Sequence, residues 1–337
     1  TPFKNSANKN PEPDLKFIKA AAKSIATVLK KGDLVILEST SPVGATEELA
    51  DLLEELRPDL TFPHDYDSNA DINIAHCPER VLPGHVVREL VENDRVIGGI
   101  SHKCSSRAIE LYKNFVKGEC FVTNARTAEM AKLTENACRD VQIAFANELS
   151  VICDGLNIDV WELISLANRH PRIDILQPGP GVGGHCIAVD PWFIVSKSPN
   201  ESKLIKAARQ INDSKSDWVV EKVKSKIKEY LTANQDLTPQ EVFIACYGLA
   251  FKANIDDLRE SPSMKIAQEI TILNKGKTIC VEPNISSELQ LDGIFLGSLH
   301  DTSNANIHVL LVEHKEFKEM VKPSGIVIDL KGIWANI

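Results

Sequence analysis

The chain has 337 residues, of which 43% are hydrophobic and 25% are charged, and its formal net charge is −9. This length predicts two or three globular domains, and the negative charge argues against a nucleic-acid partner. No apolar run reaches the roughly 18 residues of a membrane span, and the first residues lack a signal-peptide pattern, so we expect a cytoplasmic protein without a membrane partner.

The first third of the sequence alternates between helical and β-like patterns. The predicted elements are helices at residues 14–30 and 46–56 and strands at 33–37, 72–75 and 95–97. This alternation is typical of a parallel α/β domain, which we place at residues 1–122. Because Thr1 and Pro2 resemble a loop that follows a strand, we expect this domain to be truncated at its N-terminus.

A long helix is predicted at the centre of the chain. Between residues 127 and 154, apolar residues recur at helical spacing, and the stretch contains neither proline nor glycine. This pattern predicts a central spine helix. Further helices are predicted at residues 160–168 and 203–231, so the central region, residues 123–231, is expected to be mainly helical.

A second α/β domain is predicted at residues 232–337, after a polar linker near residues 232–239. Its predicted elements are strands at 242–246, 278–281, 308–312 and 326–330 and a helix at 262–273. The sequence therefore predicts an α/β fold. It consists of two Rossmann-like parallel-sheet domains joined by a central helical region with the spine helix.

The eight cysteines are scattered along the chain, with no C-x-x-C pair and no histidine pair at zinc spacing. We interpret them as reduced thiols, and no metal site is predicted.

One glycine-rich segment has the sequence GPGVGGHCIAVDPW. Gly179, Gly181 and Gly184 match the G-x-G-x-x-G spacing of a dinucleotide loop, but prolines interrupt the loop and the apolar run before it is short. We therefore interpret the glycines as allowing a ligand to approach the backbone and as presenting Cys186, whose thiolate is a candidate nucleophile. The alternatives are an inert cysteine and, for Asp190, a simple helix N-cap.

Three polar residues share one face of the spine helix. Lys132, Asn136 and Arg139 follow each other at spacings of four and three and interrupt an otherwise apolar pattern. A lysine and an amide one turn apart can order a water or stabilise an oxyanion, and an arginine suits a phosphate. The alternative is a solvated stripe.

Three loops carry further polar candidates. They are Glu79 and Arg80 in CPERVLPG, Thr40 and Thr46 in ESTSPVGATE, and Lys252 and Arg259 in YGLAFKANIDDLRESPSM. Each loop follows a predicted strand, where the ligands of open α/β sheets bind. The alternatives are solvated loop residues and helix caps.

Five segments resemble, in order and spacing, the UDP-glucose/GDP-mannose dehydrogenase family: ESTSPVGATE, CPERVLPG, TAEMAKLTENACRD, NRHPRIDILQPGPGVGGHCIAVDPWFIV and YGLAFKANIDDLRESPSM. The resemblance runs nearly end to end. It implies an NAD-dependent enzyme of surface polysaccharide biosynthesis that oxidises a nucleotide sugar's C6 alcohol to a carboxylate in two hydride transfers. Within the family, the segments NRHPRI, GVGGHCIAVDPWF and NIDDLRESP imply a UDP-N-acetyl-hexosamine substrate, UDP-N-acetylmannosamine being expected and UDP-N-acetylglucosamine the alternative.

The resemblance also implies roles for the candidates. Cys186 would attack the C6 aldehyde to give a thiohemiacetal, which the second hydride transfer converts to a thioester. Glu79 would assist hydrolysis of that thioester. Lys132 would exchange the proton and stabilise the oxyanion, while Asn136 and Asp190 would order the catalytic water.

The implied substrate contacts are Arg80, Val81, Arg139, His170, Arg172, Gly183, Phe251, Lys252 and Lys331. The implied cofactor contacts are Thr1, Thr40, Thr46 and Arg259. Arg172 is further implied to reach the neighbouring subunit's site in a homodimer. The family's first strand and glycine-rich loop have no counterpart here, so a truncated, non-catalytic UDP-sugar-binding module is the alternative from another class.

Overall fold

A computed structural model of the chain describes Phe3 and residues 11–81, 86–286 and 289–334. Its helices are α1 Lys16–Ala26, α2 Ala45–Leu56, α3 Pro63–Tyr66, α4 Val86–Glu92, α5 His102–Tyr112, α6 Ala125–Leu156, α7 Val160–Ala167, α8 Asp190–Lys197, α9 Lys203–Ala233, α10 Pro262–Leu273 and α11 Lys315–Lys318. Its strands are β1 Leu34–Leu37, β2 Asn73–His76, β3 Arg95–Gly99, β4 Cys120–Asn124, β5 Ile244–Tyr247, β6 Thr278–Val281, β7 Ile307–Leu310 and β8 Ile326–Asp329.

The chain folds into two units. The first comprises the described residues of Thr1–Cys138 and Val189–Lys206, and the second those of Arg139–Ala188 and Ala207–Ile337. The predicted α/β class with two sheets and a long central helix is confirmed, since α6 runs unbroken for 32 residues. The division into three domains stays a prediction.

The first unit contains a four-stranded sheet in the order β1-β2-β3-β4. Strands β1 and β2 pair in parallel, as do β3 and β4, but β2 and β3 are antiparallel. This one pair departs from the predicted parallel arrangement. Because β3 begins at the edge where β2 ends, the connection between them needs no crossover, and β3 runs back beside its neighbour.

The core of the first unit lies between the sheet and its amphipathic helices. Ala22 of α1 and Leu49 and Leu53 of α2 are buried together with Ile72 and with Ile74 of β2. A smaller cluster joins the start of α6 to α8 through Leu133, Ala137, Phe193 and Ile194. This second cluster fixes which face of α6 packs against α8 and therefore also which face does not.

The second unit contains a fully parallel sheet in the order β6-β5-β7-β8. Helix α9 contributes Val219 and Val223 to its core, and α10 contributes Ile266 and Ile270. The strand order reverses between β5 and β7, which makes the carboxyl ends of these two strands the topological switch point, where open α/β sheets bind ligands.

The second half of α6 meets α9 through buried polar groups. Asp140 and Arg209 are almost fully buried and paired at 2.6 Å, and Asn212 donates to the same carboxylate at 2.8 Å. Asn147 in turn donates to Asn212 at 2.8 Å. Since buried charges are tolerated only when paired and hydrogen-bonded, this network fixes the register of the two helices in this unit.

Among the described residues, no helix has both the length and the apolar character to cross a membrane.

Candidate active site

In the first unit, Asp190 and Asn136 form the most tightly coupled pair among the candidates. Asp190 begins α8, is 3% exposed, and accepts a 2.5 Å hydrogen bond from the Asn136 side chain on α6. Burial raises the pKa of Asp190 to about 6, while the Asn136 hydrogen bond and the charge of Lys132 oppose the rise. The carboxyl group therefore changes its charge close to neutral pH, as a group that exchanges a proton with water should.

Lys132 lies one helical turn before Asn136 and is half-buried. The neighbouring positions Leu133 and Ala137 are buried against α8. The predicted polar face of α6 therefore lies next to the face that packs against α8. This packing fixes the helix positions of Lys132 and Asn136.

Glu79 lies at the edge where β1 and β2 end. Its side chain is 36% exposed and pairs with the guanidinium of Arg95 at 3.3 Å, while Arg95 itself is 2% exposed. Arg95 also donates to the Leu90 carbonyl at 3.0 Å and lies 5.5 Å from the centre of the Tyr112 ring. Because Arg95 has no access to water, the Glu79 carboxylate is its counter-charge, and the pair orients that carboxylate.

The same edge holds a second acid and a thiol. Tyr112 donates a 2.5 Å hydrogen bond to Glu38, and burial raises the pKa of Cys77 to about 11. Cys77 is therefore a protonated structural thiol rather than a second nucleophile. Arg80 next to Glu79 pairs with Glu135 of α6 at 2.8 Å, and Val81 is half-buried beside it.

The predicted cofactor contacts of the first unit have different environments. Thr40 is half-buried just beyond the end of β1. Thr46 is fully buried, and its hydroxyl and backbone N–H bind the Glu129 carboxylate at 2.6 and 2.7 Å. The N–H of Gly44 binds the same carboxylate at 2.6 Å. Thr1 lies outside the described residues.

This arrangement determines how a dinucleotide fits the first unit. The N-terminus of α2 is already occupied by Glu129, so it does not offer its N–H groups to a phosphate. The carboxyl edge of β1 and β2, with Thr40 and Glu79, is the position where open α/β sheets bind nucleotides. The residues present fit a nicotinamide dinucleotide at that edge.

In the second unit, the glycine-rich loop is fixed at several points. The N–H of Gly179 binds Asn147 of α6 at 2.9 Å, Ser216 of α9 donates to the Pro180 carbonyl at 3.2 Å, and Lys331 approaches the Pro178 carbonyl at 3.5 Å. Residues 173–179 form no strand, which agrees with rejecting a dinucleotide loop here. The loop carries the exposed Cys186 and ends where the chain enters the first unit.

Gly183 and Gly184 bring the cysteine loop against the loop after β5. A Cβ on Gly183 would lie 2.6 Å from the Glu260 carbonyl and 2.9 Å from the Cβ of Phe251, distances that no side chain tolerates. Gly184 has a φ of +80°, and a Cβ there would meet the Phe251 ring at 3.2 Å. The structure therefore joins three sequence-predicted elements in one place: the Gly183 turn, Phe251 and the neighbouring Lys252.

The remaining candidates of the second unit lie on exposed segments. Arg139, His170, Arg172 and Lys252 are exposed, as is Arg259, whose guanidinium pairs with Asp257 at 2.6 Å. That hydrogen bond holds the pKa of Asp257 at about 2. Lys331 is mostly buried and pairs with Glu313 at 3.5 Å.

Sequence reasoning missed four charged groups that hold the candidates in place. They are Arg95, Glu129, Glu282 and His314. For two of them the sequence does contain a signal, which is a charged residue next to an apolar run. Arg95 begins such a run, and Glu282 directly follows one. The partners of Glu129 and His314 are distant in sequence, and no local pattern points to them.

The fold and these groups define a class of protein, an α/β enzyme with a nucleotide-binding sheet in each unit and a cysteine presented on a glycine-rich loop. Family models match residues 1–116, 126–214 and 245–336 as the NAD binding, central and UDP binding domains of the UDP-glucose/GDP-mannose dehydrogenase family. The chain belongs to this family. Its NAD cofactor and its oxidoreductase class, both expected from the sequence, are thereby confirmed, and its substrate is a nucleotide sugar.

Three known proteins illustrate the similarity. The chain is 59% identical over 342 residues to the UDP-N-acetyl-D-mannosamine dehydrogenase of Yersinia pestis, covering 99% of this chain and 80% of that protein. It is 56% identical over 340 residues to the NDP-N-acetyl-D-galactosaminuronic acid dehydrogenase of Ralstonia nicotianae, covering 99% and 77%. A solved UDP-D-ManNAc dehydrogenase from Pyrococcus horikoshii aligns with a TM-score of 0.82 at 38% identity, covering 96% and 74%.

The raised pKa of Asp190 predicts a stability effect that depends on pH. Because its pKa in the folded chain is about 6 against an ordinary 3.8, this group contributes stability below pH 4 that is lost as the pH rises through 6. Asp190→Asn removes this dependence, so relative to wild type the variant should gain about 3 kcal/mol between pH 4 and pH 7.

Urea unfolding at several pH values measures this difference, with the exposed Asp256→Asn as the matched control. A stability difference between wild type and Asp190→Asn that does not change with pH would contradict the pKa assigned to Asp190.

Proposed function

We propose that this protein oxidises the C6 alcohol of UDP-N-acetyl-D-mannosamine to the carboxylate, giving UDP-N-acetylmannosaminuronate. The observation that carries the proposal is the hydrogen bond between the buried Asp190 and Asn136. In the sequence, Asp190 follows the candidate nucleophile Cys186 by four residues. The 59% identity to a protein named for this activity supports the choice of sugar. NAD, when bound, accepts a hydride in each of the two oxidations.

In the first oxidation, the chain has to remove the proton of the C6 hydroxyl. Lys132 is proposed to take this proton and then to stabilise the oxygen that carries negative charge in later steps. Asn136 lies on the same face one turn away, and its amide is fixed by its bond to Asp190. These groups are on a helix, so they keep their geometry throughout the reaction.

In the second stage, the Cys186 thiolate is proposed to attack the aldehyde carbon, forming a C–S bond and a thiohemiacetal. Loss of the second hydride leaves a thioester. Water then attacks the thioester carbon, the C–S bond breaks, and Cys186 recovers its thiol. Asp190 and Glu79 are proposed to hold this water and accept its proton, a role that suits a carboxyl group with a pKa of about 6.

Substrate recognition is proposed to depend on positively charged side chains. Arg139, Arg172, Lys252 and Lys331 supply the positive charge that a diphosphate requires in a protein of net charge −9. The other proposed contacts are Arg80, Val81, His170, Gly183 and Phe251. For the cofactor, the proposal includes Thr40 and Arg259, with Thr46 acting through the turn that its bond to Glu129 holds.

A second sugar is favoured by one observation, the 56% identity to a relative named for a galacto-configured product. The two identities differ too little to decide between these two sugars, which differ in configuration at C2, where the N-acetyl group is attached, and at the C4 hydroxyl. UDP-N-acetylglucosamine is the further alternative. Membership of a dehydrogenase family does not favour the non-catalytic binding module.

The decisive experiment follows NADH formation by the full-length protein with UDP-N-acetylmannosamine, UDP-N-acetylglucosamine and UDP-N-acetylgalactosamine. We expect two NADH per sugar consumed, with the highest kcat/KM for the manno sugar. Cys186→Ala should abolish formation of the acid, because no thioester can form. A higher kcat/KM for either other sugar would overturn the substrate assignment, and an active Cys186→Ala variant would overturn the nucleophile.

Replacement of Glu79 tests the hydrolysis step separately. Glu79→Gln should still pass both oxidations and then stall, giving a burst of about two NADH per active site and a covalent adduct on Cys186 that mass spectrometry detects. Glu148→Gln, at an exposed acid of α6 with no proposed chemical role, is the matched control. Steady turnover of Glu79→Gln at the wild-type rate would remove Glu79 from the mechanism.

The active form is proposed to be a homodimer built on the second half of α6. Three large apolar side chains are exposed there, Phe145 at 51%, Ile152 at 49% and Leu156 at 63%, and a row of this kind is typical of an interface. The location of the protein in the cytoplasm also stays a prediction.

Light scattering tests the proposed dimer interface. Wild type should have twice the monomer mass, and so should Leu204→Asp, which alters an exposed position outside this row. Phe145→Asp should have the monomer mass. A dimeric Phe145→Asp variant would place the interface elsewhere.

A further inference from the structure

A buried carboxylate holds the loop that follows β5. Glu282, directly after β6, is fully buried, and one of its oxygens accepts the backbone N–H groups of Leu249 and Ala250 at 2.7 and 3.0 Å. The other oxygen accepts the N–H of Asn284 at 3.1 Å. A carboxylate that accepts several N–H groups acts as a fixed anchor for the backbone that donates them.

His314, after β7, is the second half of this anchor. It is fully buried, and its Nε2 lies 3.0 Å from the Glu282 carboxylate. Its Nδ1 lies 2.9 Å from the backbone nitrogen of Asn254. A backbone N–H can only donate, so Nδ1 accepts and the proton is on Nε2, which donates to Glu282. The side-chain amide of Asn284 also lies 2.9 Å from Nδ1, so the partners of both ring nitrogens set the tautomer of His314.

Together the two side chains accept hydrogen bonds from the backbone of the loop on both sides of Phe251 and Lys252. Leu249 and Ala250 are held just before this dipeptide by Glu282, and Asn254 is held just after it by His314. Asn254 has a φ of +60°, a left-handed conformation that asparagine adopts more readily than most residues. The loop is thus fixed on both sides of Phe251 and Lys252 by side chains from outside it.

The position of this loop affects two others. Phe251 packs on Gly183 and Gly184 in the loop that carries Cys186. Strands β5 and β7 carry the anchored loop and His314, and they flank the topological switch point of the second sheet. Burial alone would raise the pKa of Glu282, but the bonds from His314, Leu249 and Ala250 hold it at about 2, so the anchor keeps its charge at any working pH.

We propose that Glu282 and His314 are positioning residues, which orient Phe251 and Lys252 toward the nucleotide part of the substrate without touching it. This inference rests on the proposed function, in which Phe251 and Lys252 contact the UDP sugar. It predicts that damage to the anchor weakens binding of the nucleotide sugar more than binding of NAD.

The test compares Glu282→Gln with the exposed control Glu319→Gln in the full-length protein. An amide has one acceptor oxygen and adds donors, so it cannot accept the same set of N–H groups. We expect the KM for the UDP sugar, and the Kd of UDP by calorimetry, to rise about tenfold or more, the scale of a misplaced orienting group. The KM for NAD and kcat should each change far less than the KM for the sugar.

His314 provides a second and milder pair of variants. His314→Gln keeps an amide donor and an acceptor, whereas His314→Phe keeps the ring shape and loses both. UDP affinity should fall in the order wild type, Gln, Phe. In a double-mutant cycle, Glu282→Gln should have little further effect on UDP affinity once Phe251 and Lys252 are both replaced by Ala, because the anchor acts through these two residues.

The outcomes separate this inference from the proposed function. Unchanged UDP affinity in Glu282→Gln and His314→Phe, in a wild type that turns over, overturns the inference and leaves the function in place. Equal losses in the KM for NAD, the KM for the sugar and kcat would show a general structural role and also overturn it. A wild type that binds UDP without oxidising any of the sugars overturns the proposed function, while weaker UDP binding by the variants would still support the anchor.

Discussion

The positions of the polar residues on the long helix α6 depend on one constraint, which is that its buried acids need hydrogen-bond donors. Glu129 near its start receives three bonds from Gly44 and Thr46, where α2 begins, and Asp140 near its middle receives bonds from Arg209 and Asn212. Burial raises the pKa of both acids, so each would be costly without these donors. In the first unit, the Glu129 bonds fix the start of α6 against α2. Lys132 and Asn136 lie within the next two turns of the same helix, so the direction of their side chains follows from this contact.

The protein uses the carboxyl group in different ways, and the number of donors decides which. Glu282 accepts several N–H groups and is held ionised, with a pKa of about 2, although it is fully buried. Asp190 is nearly as buried and accepts a hydrogen bond from the Asn136 amide, and burial raises its pKa to about 6. The first group therefore anchors backbone, while the second can change its protonation during a reaction. This contrast supports a chemical role for Asp190 and a positional one for Glu282.

What the sequence could predict follows from the range of the interactions involved. The helix at 262–273 and the strand at 278–281 match the structure residue for residue, because local periodicity and a Ser-Pro cap define them. The lysine–asparagine face of α6 was predictable for the same reason. The antiparallel β2–β3 pair was not, since helix-and-strand alternation gives no strand direction. The hydrogen bond from the Thr46 hydroxyl to Glu129, 83 residues away, was not predictable either, and the role of Thr46 toward the cofactor stays a prediction. The fold class was thus predictable, but the long-range pairs that hold the site were not.

The placement of the proposed reacting groups matches what each must do. Lys132, Asn136 and Asp190 lie on helices, where proton transfer and oxyanion stabilisation benefit from fixed geometry. Cys186 has to approach a carbon, remain bonded through an oxidation and then release it, which requires some freedom of the backbone. It is exposed on a loop whose glycines allow left-handed conformations, and that loop is restrained by Asn147 and Ser216 before the cysteine and by Phe251 beside it. A loop fixed at its ends and supported along its side limits that freedom to the few residues around the sulfur. The Glu282–His314 anchor is therefore as relevant to the nucleophile as to the nucleotide, because Phe251 supports the cysteine loop only while its own loop is held.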